Sequence, residues 1–137
     1  MIALRGLHLN NMGKYVLVMF GGAFGAVSRF VIGALVSRLY ASVFPLGTFF
    51  INVSGSFLIG VLMILFLNRP AISANWRLFL VTGVLGGYTT FSSFEWETLF
   101  TIRGGAGLIA VAYVLLSVVI GLAAAWTGAL MANRLWA

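Results

Sequence analysis

The chain has 137 residues, enough for one small domain, but 62% of them are hydrophobic and 7% are charged. About a quarter of the residues in a soluble domain are charged, and a soluble fold this short cannot bury so much apolar surface. Four helical spans of about 20 residues each match the apolar sequence that is available. The composition therefore predicts an all-α integral membrane protein, with residues 1–137 as one transmembrane domain.

The same composition excludes most enzyme chemistry. The chain has no cysteine, the acids are Glu95 and Glu97, and the single histidine is His8. Thiolate or histidine-rich metal sites and a Ser-His-Asp triad are therefore absent, and we do not expect an enzyme. The eight basic residues give a net charge of +6 but are scattered along the chain. Scattered charges predict contact with lipid headgroups at helix ends, not binding of nucleic acid.

The uncharged stretches predict four helices, at about 15–38, 47–67, 77–100 and 105–133. Residues 1–11 are polar enough to be loosely ordered. An even number of spans places both termini on one side of the membrane. That side carries most of the basic residues, Arg5, Lys14, Arg69, Arg77 and Arg134, against Arg38 and Arg103 on the other. This bias favours termini in the cytoplasm.

The first predicted helix carries a cation inside its apolar stretch. Arg29 continues a stripe formed by Gly21 and Gly25 at four-residue spacing. Small residues at this spacing let a neighbouring helix approach closely. An intramembrane arginine is a candidate functional residue, although its side chain can also extend to the membrane surface.

Neutral polar side chains form stripes on the second and fourth helices. Thr48, Asn52 and Ser56 are spaced at i, i+4 and i+8, and Tyr113 and Ser117 are also four residues apart. Such groups often only join helices within a membrane. Two stripes in so short a chain favour the alternative, a polar pathway.

The third helix combines paired glycines with four hydroxyl residues between Gly83 and Phe94. A continuous helix is not expected there. Non-helical backbone at membrane depth is tolerated where it lines a cavity or binds a ligand, and released carbonyls can hold an ion. The alternative is a packing surface, because Gly83 and Gly87 alone form a small-xxx-small pair.

Two further features follow that glycine-rich stretch. Phe91 and Phe94 share a helix face, which usually indicates a core position, but their positive ring edges could also face an anion. Glu97 lies one turn beyond Ser93. It could pair with Arg29, bind a proton or lie at the membrane surface.

Taken in order, these motifs resemble those of the Fluc (CrcB) family of fluoride channels. The resemblance covers nearly the whole chain and rests on Gly21–Ala26 with Arg29, on Pro45–Thr48 with Asn52 and Gly55–Ser56, and on Gly86–Phe94. Tyr88 departs from the more usual aliphatic residue within the third motif, and Glu95 stands where a small residue is more common.

The resemblance implies an antiparallel, dual-topology homodimer of four-helix subunits, each with a broken third helix, in a bacterial inner membrane. Two pores would export fluoride passively, and a structural sodium ion at the dimer centre would bind the backbone carbonyls of Gly86 and Thr89. Arg29 and Glu97 would act as vestibule or gating charges. The pore-lining residues would be Thr48, Asn52, Phe91, Ser92, Ser93, Phe94, Tyr113 and Ser117.

Two other functions are alternatives to a channel. A small dimeric drug or cation exporter needs a membrane-embedded carboxylate, most naturally in the first helix, where this chain has Arg29. A structural subunit of a larger complex would explain the glycine-rich surfaces but not two aligned stripes of hydrogen-bond donors.

Overall fold

The structure, a computed structural model, describes the backbone of residues 2–136 and the side chains of residues 12–136. The described chain is helical, with short connections. The elements are α1 (Ile2–Leu39), α2 (Leu46–Asn68), α3 (Ala74–Arg77), a π-helix (Leu78–Leu85), α4 (Gly86–Tyr88), α5 (Phe91–Arg103) and α6 (Gly107–Trp136).

Three of these helices contain segments long and apolar enough to cross a membrane: Met12–Leu39, Leu46–Asn68 and Gly107–Trp136. The prediction of an all-helical membrane protein is confirmed at this level. The fourth expected span, 77–100, falls on several shorter elements, which meet at Thr89 and Thr90. The first helix also starts earlier than expected, at Ile2, so the backbone of the polar N-terminal residues is helical. The side chains of Arg5 and His8 lie outside the described residues.

Helical structure stops at Tyr88 because two threonines adopt extended backbone. Thr89 has φ −76° and ψ 156°, and Thr90 has φ −150° and ψ 122°. The Thr90 hydroxyl then accepts a hydrogen bond from the Ser93 backbone N–H at 3.3 Å. A threonine in this role satisfies one of the donors at the start of a helix. Thr89 therefore ends one helical segment and Thr90 begins the next.

Glycines bring two pairs of elements into backbone contact. Along α1, a Cβ added to Gly21 or Gly25 would meet the carbonyl oxygen of Phe79 or Val84 in the π-helix. Between α2 and α6, a Cβ added to Gly60 would meet the Ala125 carbonyl. The glycine stripe predicted on the first helix is therefore a close-approach surface, and it faces the π-helix.

Most large apolar side chains point away from the chain's own interior. The buried apolar cluster of Ile51, Leu85 and Tyr88 is small, whereas Phe20, Phe24 and Phe30 on α1 are exposed. An apolar exterior suits a chain whose surroundings are hydrocarbon.

Candidate ion pathway

Side chains of α1 and α2 hold the extended backbone at Thr89 and Thr90. Arg29 donates from Nη1 to the Thr89 carbonyl at 3.2 Å. Asn52 donates from Nδ2 to the Thr90 carbonyl at 3.0 Å and accepts from the Thr90 N–H at Oδ1 at 2.9 Å. In an uninterrupted helix the Thr90 N–H would bond to the Gly86 carbonyl. The Asn52 amide therefore takes over a helical hydrogen bond and keeps the backbone open.

A third contact holds the residue before the break. The Tyr88 and Ser54 hydroxyl oxygens are 2.8 Å apart, and Ser54 also lies within hydrogen-bond distance of the Phe50 and Ile51 carbonyls. Because serine has one hydroxyl hydrogen, which those carbonyls attract, Tyr88 donates to Ser54. Sequence reasoning missed Ser54, since it lies off the stripe of Thr48 and Asn52.

One cavity, of about 420 Å³, opens beside the break. Its polar lining comes from Asn52, Ser56, Thr89, Thr90 and Ser117, and its aromatic lining from Phe91 and Phe94. We call it the lower cavity. Among the described side chains, the Ser117 hydroxyl oxygen is buried without a hydrogen-bond partner. An unpaired buried hydroxyl costs roughly 1–3 kcal/mol, so Ser117 is ready to donate to a guest in this cavity.

A second cavity, of about 410 Å³, contains both charged candidates. Its polar lining comes from Arg29, Ser37, Tyr40, Ser42, Thr48, Thr90, Ser93 and Glu97. We call it the upper cavity. Thr90 lines both cavities. The backbone held by Asn52 therefore lies where the two cavities come together.

The Glu97 carboxylate accepts hydrogen bonds from two other elements. Thr48 on α2 donates to Oε1 at 2.7 Å, and Tyr113 on α6 donates to Oε2 at 3.0 Å. Hydrogen bonds to a carboxylate are stronger than those between neutral groups, and the Thr48 bond has the short length typical of them. Arg29 shares the upper cavity with Glu97 but donates to the Thr89 carbonyl. Glu97 thus joins α2, α5 and α6 through hydroxyl groups.

A row of three aromatic rings links the lower cavity to the tyrosine that donates to Glu97. The ring centroids of Phe91 and Phe94 are 5.8 Å apart, and those of Phe94 and Tyr113 are 5.0 Å apart. Phe91 is 70% exposed on this chain, whereas Tyr113 is fully buried. The phenylalanine pair therefore runs from the chain's surface to the hydroxyl that Glu97 binds.

The structure divides the predicted lining between these places. Asn52, Phe91, Phe94 and Ser117 line the lower cavity, and Thr48 and Ser93 line the upper one. Tyr113 and Ser92 line neither of the two. Tyr113 is buried and donates to Glu97, and Ser92 is exposed. Thr90 was missed as a lining residue because its place depends on the extended backbone. Gly86 and Thr89, the predicted sodium ligands, both line the lower cavity.

Comparison with known proteins gives the family. Residues 16–129 match the family model described as CrcB-like protein, Camphor Resistance (CrcB). The chain belongs to the CrcB family. This finding confirms the resemblance and makes the chain a multi-pass membrane protein of a family whose curated relatives are named as ion channels, not as enzymes.

Three relatives of the CrcB chain are each named fluoride-specific ion channel FluC. The protein from Solibacter usitatus is 49% identical over 88% of this chain and 99% of its own length. The protein from Agrobacterium fabrum is 44% identical over 91% of this chain and all of its own length. The protein from Methylococcus capsulatus is 48% identical over 91% of this chain, which spans 54% of that relative.

Proposed function

We propose that this CrcB-family chain is a fluoride-selective channel that lets fluoride leave the cytoplasm passively. Its similarity to proteins named as fluoride-specific channels, at 49% and 44% identity over nearly their whole length, supports fluoride as the transported ion. The observation that carries the mechanism is the lower cavity. Its lining joins neutral hydrogen-bond donors to two phenylalanine rings, and the Ser117 hydroxyl there has no partner within the described chain.

Fluoride is small and strongly hydrated, so a dry apolar hole excludes it. Neutral hydroxyl, amide and ring-edge donors replace part of its water shell without a fixed cation that would trap it. In the proposed pathway Ser117 and Phe94 face the anion in the lower cavity. The complete lining is Thr48, Asn52, Phe91, Ser92, Ser93, Phe94, Tyr113 and Ser117.

Movement past the break requires a donor that can change partners. Thr48 and Tyr113 both donate to Glu97 at hydrogen-bond distance. A passing fluoride competes with this carboxylate for the same hydroxyl hydrogens. In this proposal Arg29 and Glu97 act as vestibule or gating charges, the first attracting anions into the upper cavity and the second limiting their stay.

A passive channel fits these groups better than a proton-driven exporter. An exporter of cationic compounds needs a carboxylate free to exchange a proton for its substrate. Glu97 is engaged by two hydroxyls, Glu95 is exposed, and α1 carries Arg29 in place of an acid. The chain thus has a cation in its first helix, where such an exporter needs an acid, and its pathway offers hydrogen-bond donors that suit an anion.

We also propose that two antiparallel copies form the channel, with two pores in each dimer. Phe91 and Gly86 line the lower cavity but are exposed on one chain. A cavity with exposed lining is incomplete, and a second copy related by two-fold symmetry would cover it from the same surface. Membrane lipid would cover the remaining apolar exterior.

The central sodium ion is part of the same proposal. Hard cations prefer oxygen ligands, and the Gly86 carbonyl has lost its helical donor because the Thr90 N–H bonds to Asn52. The Thr89 carbonyl already accepts from Arg29 at 3.2 Å and would share its lone pairs. Two carbonyls from each chain fit a cation only when both copies contribute. Bound there, the ion would supply positive potential at the dimer centre.

The test is ion efflux from liposomes that contain the purified protein. We expect rapid fluoride efflux under a membrane potential while chloride is retained. Equal rates for the two ions, or no fluoride flux from a correctly folded dimer, would rule out the channel. Replacing sodium with a large organic cation during purification tests the sodium site, because its loss should lower both dimer stability and flux.

A further inference from the structure

Phe44, in the connection between α1 and α2, packs against the tyrosine that binds Glu97. Its ring centroid lies 5.2 Å from that of Tyr113, with the two rings at 80° in an edge-to-face arrangement. Phe94 on α5 contacts the same tyrosine at 5.0 Å. Edge-to-face pairs are favourable and fix the direction of a ring. Tyr113 is therefore held by one ring from a connection and another from a helix.

Phe44 also lines the upper cavity. It belongs to the wall of that cavity, whereas Tyr113 does not. Tyr113 is fully buried, and its hydroxyl donates to Glu97 Oε2 at 3.0 Å. Removing a large ring from a packed site leaves a void that neighbours only partly fill. Without the Phe44 ring, the tyrosine would have room to turn into the 410 Å³ cavity and leave the carboxylate.

We propose that Phe44 is a positioning residue: it keeps the Tyr113 hydroxyl on Glu97 and thereby sets the rate at which the pathway conducts. The part that concerns conduction rests on the proposed channel function, whereas the placement of Tyr113 does not. The connection between α1 and α2, which contains no predicted lining residue, would then control the buried Tyr113 hydroxyl.

Chemical nitration tests the placement directly. The full chain is reconstituted and treated with tetranitromethane, and Tyr113 modification is measured by mass spectrometry, with Tyr40, which is 61% exposed, as the internal reference. We expect Tyr113 to be protected in the wild type and to react in Phe44→Ala. Phe44→Leu, which keeps much of the volume, should restore protection. The proposal is wrong if Tyr113 stays protected in Phe44→Ala, or if Phe44→Leu protects no better than alanine.

A matched control separates positioning from general loss of packing. Phe79 pairs edge-to-face with Trp76 at 6.1 Å, so Phe79→Ala makes the same truncation away from Glu97. It should leave Tyr113 protected, and exposure equal to that in Phe44→Ala would overturn the proposal.

Fluoride efflux gives the second readout. Losing a hydrogen bond to a charged group corresponds to about tenfold or more in rate, so Phe44→Ala should slow efflux by that order, and Tyr113→Phe should slow it too. Because both act on one hydroxyl, Phe44→Ala should add no further loss in the Tyr113→Phe background, and multiplicative losses would contradict the proposal. If the wild type conducts no fluoride, the channel function fails, but nitration still decides the role of Phe44.

Discussion

Asn52 shows how one side chain can replace a piece of secondary structure. Its amide has a donor and an acceptor, and the structure uses both on Thr90, at 3.0 and 2.9 Å. The residue is predicted to line a pore, and in the structure it lines the lower cavity, which does not test that prediction. Its amide is nevertheless committed to the backbone. The amide keeps the backbone of Thr90 extended, and Thr90 therefore lies between the two cavities.

We therefore expect Asn52→Asp to slow conduction by changing the backbone geometry at Thr90. The aspartate keeps an acceptor for the Thr90 N–H but places a carboxylate oxygen against the Thr90 carbonyl. A lost hydrogen bond with repulsion in its place costs roughly 1–3 kcal/mol, and fluoride efflux should fall by about tenfold or more. Fluoride efflux measures the conduction rate, and size-exclusion chromatography shows whether the dimer is intact. The control is Asn133→Asp, on an exposed amide that accepts from Asn68 at 3.3 Å. Normal efflux in Asn52→Asp would contradict this role.

At the scale of elements, the interrupted segment is positioned by contacts of two kinds. Glycines of α1 let the π-helix and α4 approach at backbone distance. Hydrogen bonds with Arg29, Asn52 and Ser54 then fix residues 88–90. Tyr88, the departure from the usual aliphatic residue, takes part through its bond to Ser54. Its hydroxyl adds a link between α4 and α2 that an aliphatic side chain lacks.

Gly25→Ala tests the close approach. The added Cβ would meet the carbonyl oxygen of Val84 and would lie 2.8 Å from the Tyr88 backbone nitrogen. Backbone cannot move as a flexible side chain can, so we expect destabilisation of about 1–3 kcal/mol or more, seen as a lower thermal midpoint in detergent. Gly22→Ala is the matched control, because its Cβ would find its nearest neighbour at 4.0 Å. There the helix preference for alanine, about 1 kcal/mol, should hold or raise the midpoint. Equal losses in both variants would contradict the packing.

For the molecule as a whole, composition was enough to predict a helical membrane protein, and glycine spacing was enough to find the surface that meets the π-helix. The contacts that shape the site were not predictable in this way. Asn52 and Thr90 are 38 residues apart, and Thr48 and Glu97 are 49 apart. Periodicity reports which residues share a face of one helix but not what that face meets. Thr48 and Asn52 share a stripe yet line different cavities, because the extended backbone at Thr90 comes between them.

The proposed dual topology is a prediction about the whole molecule, and the basic residues oppose it. Five of them lie on the predicted side of the termini and two on the other, namely Arg38 and Arg103, a bias that would favour one orientation. The native chain has no cysteine, so single cysteines report orientation cleanly. In intact cells, we expect an impermeant maleimide to label about half of the Ala71→Cys chains and about half of the Gly104→Cys chains, as an antiparallel two-fold assembly requires. Labelling of one position alone would show a single orientation.

The π-helix from Leu78 to Leu85 limits the insertions and deletions that the chain can accept. Each residue adds to the rotation of a helix, by about 100° in an α-helix and by less in the wider π-helix. Deleting one residue from this segment would therefore rotate Gly87 away from Gly22, and Tyr88 away from Ser54. The change in helix length would be small compared with the thickness of the bilayer. An insertion would rotate them the opposite way. The number of residues between Arg77 and Gly86 is thus fixed by the neighbours of α4.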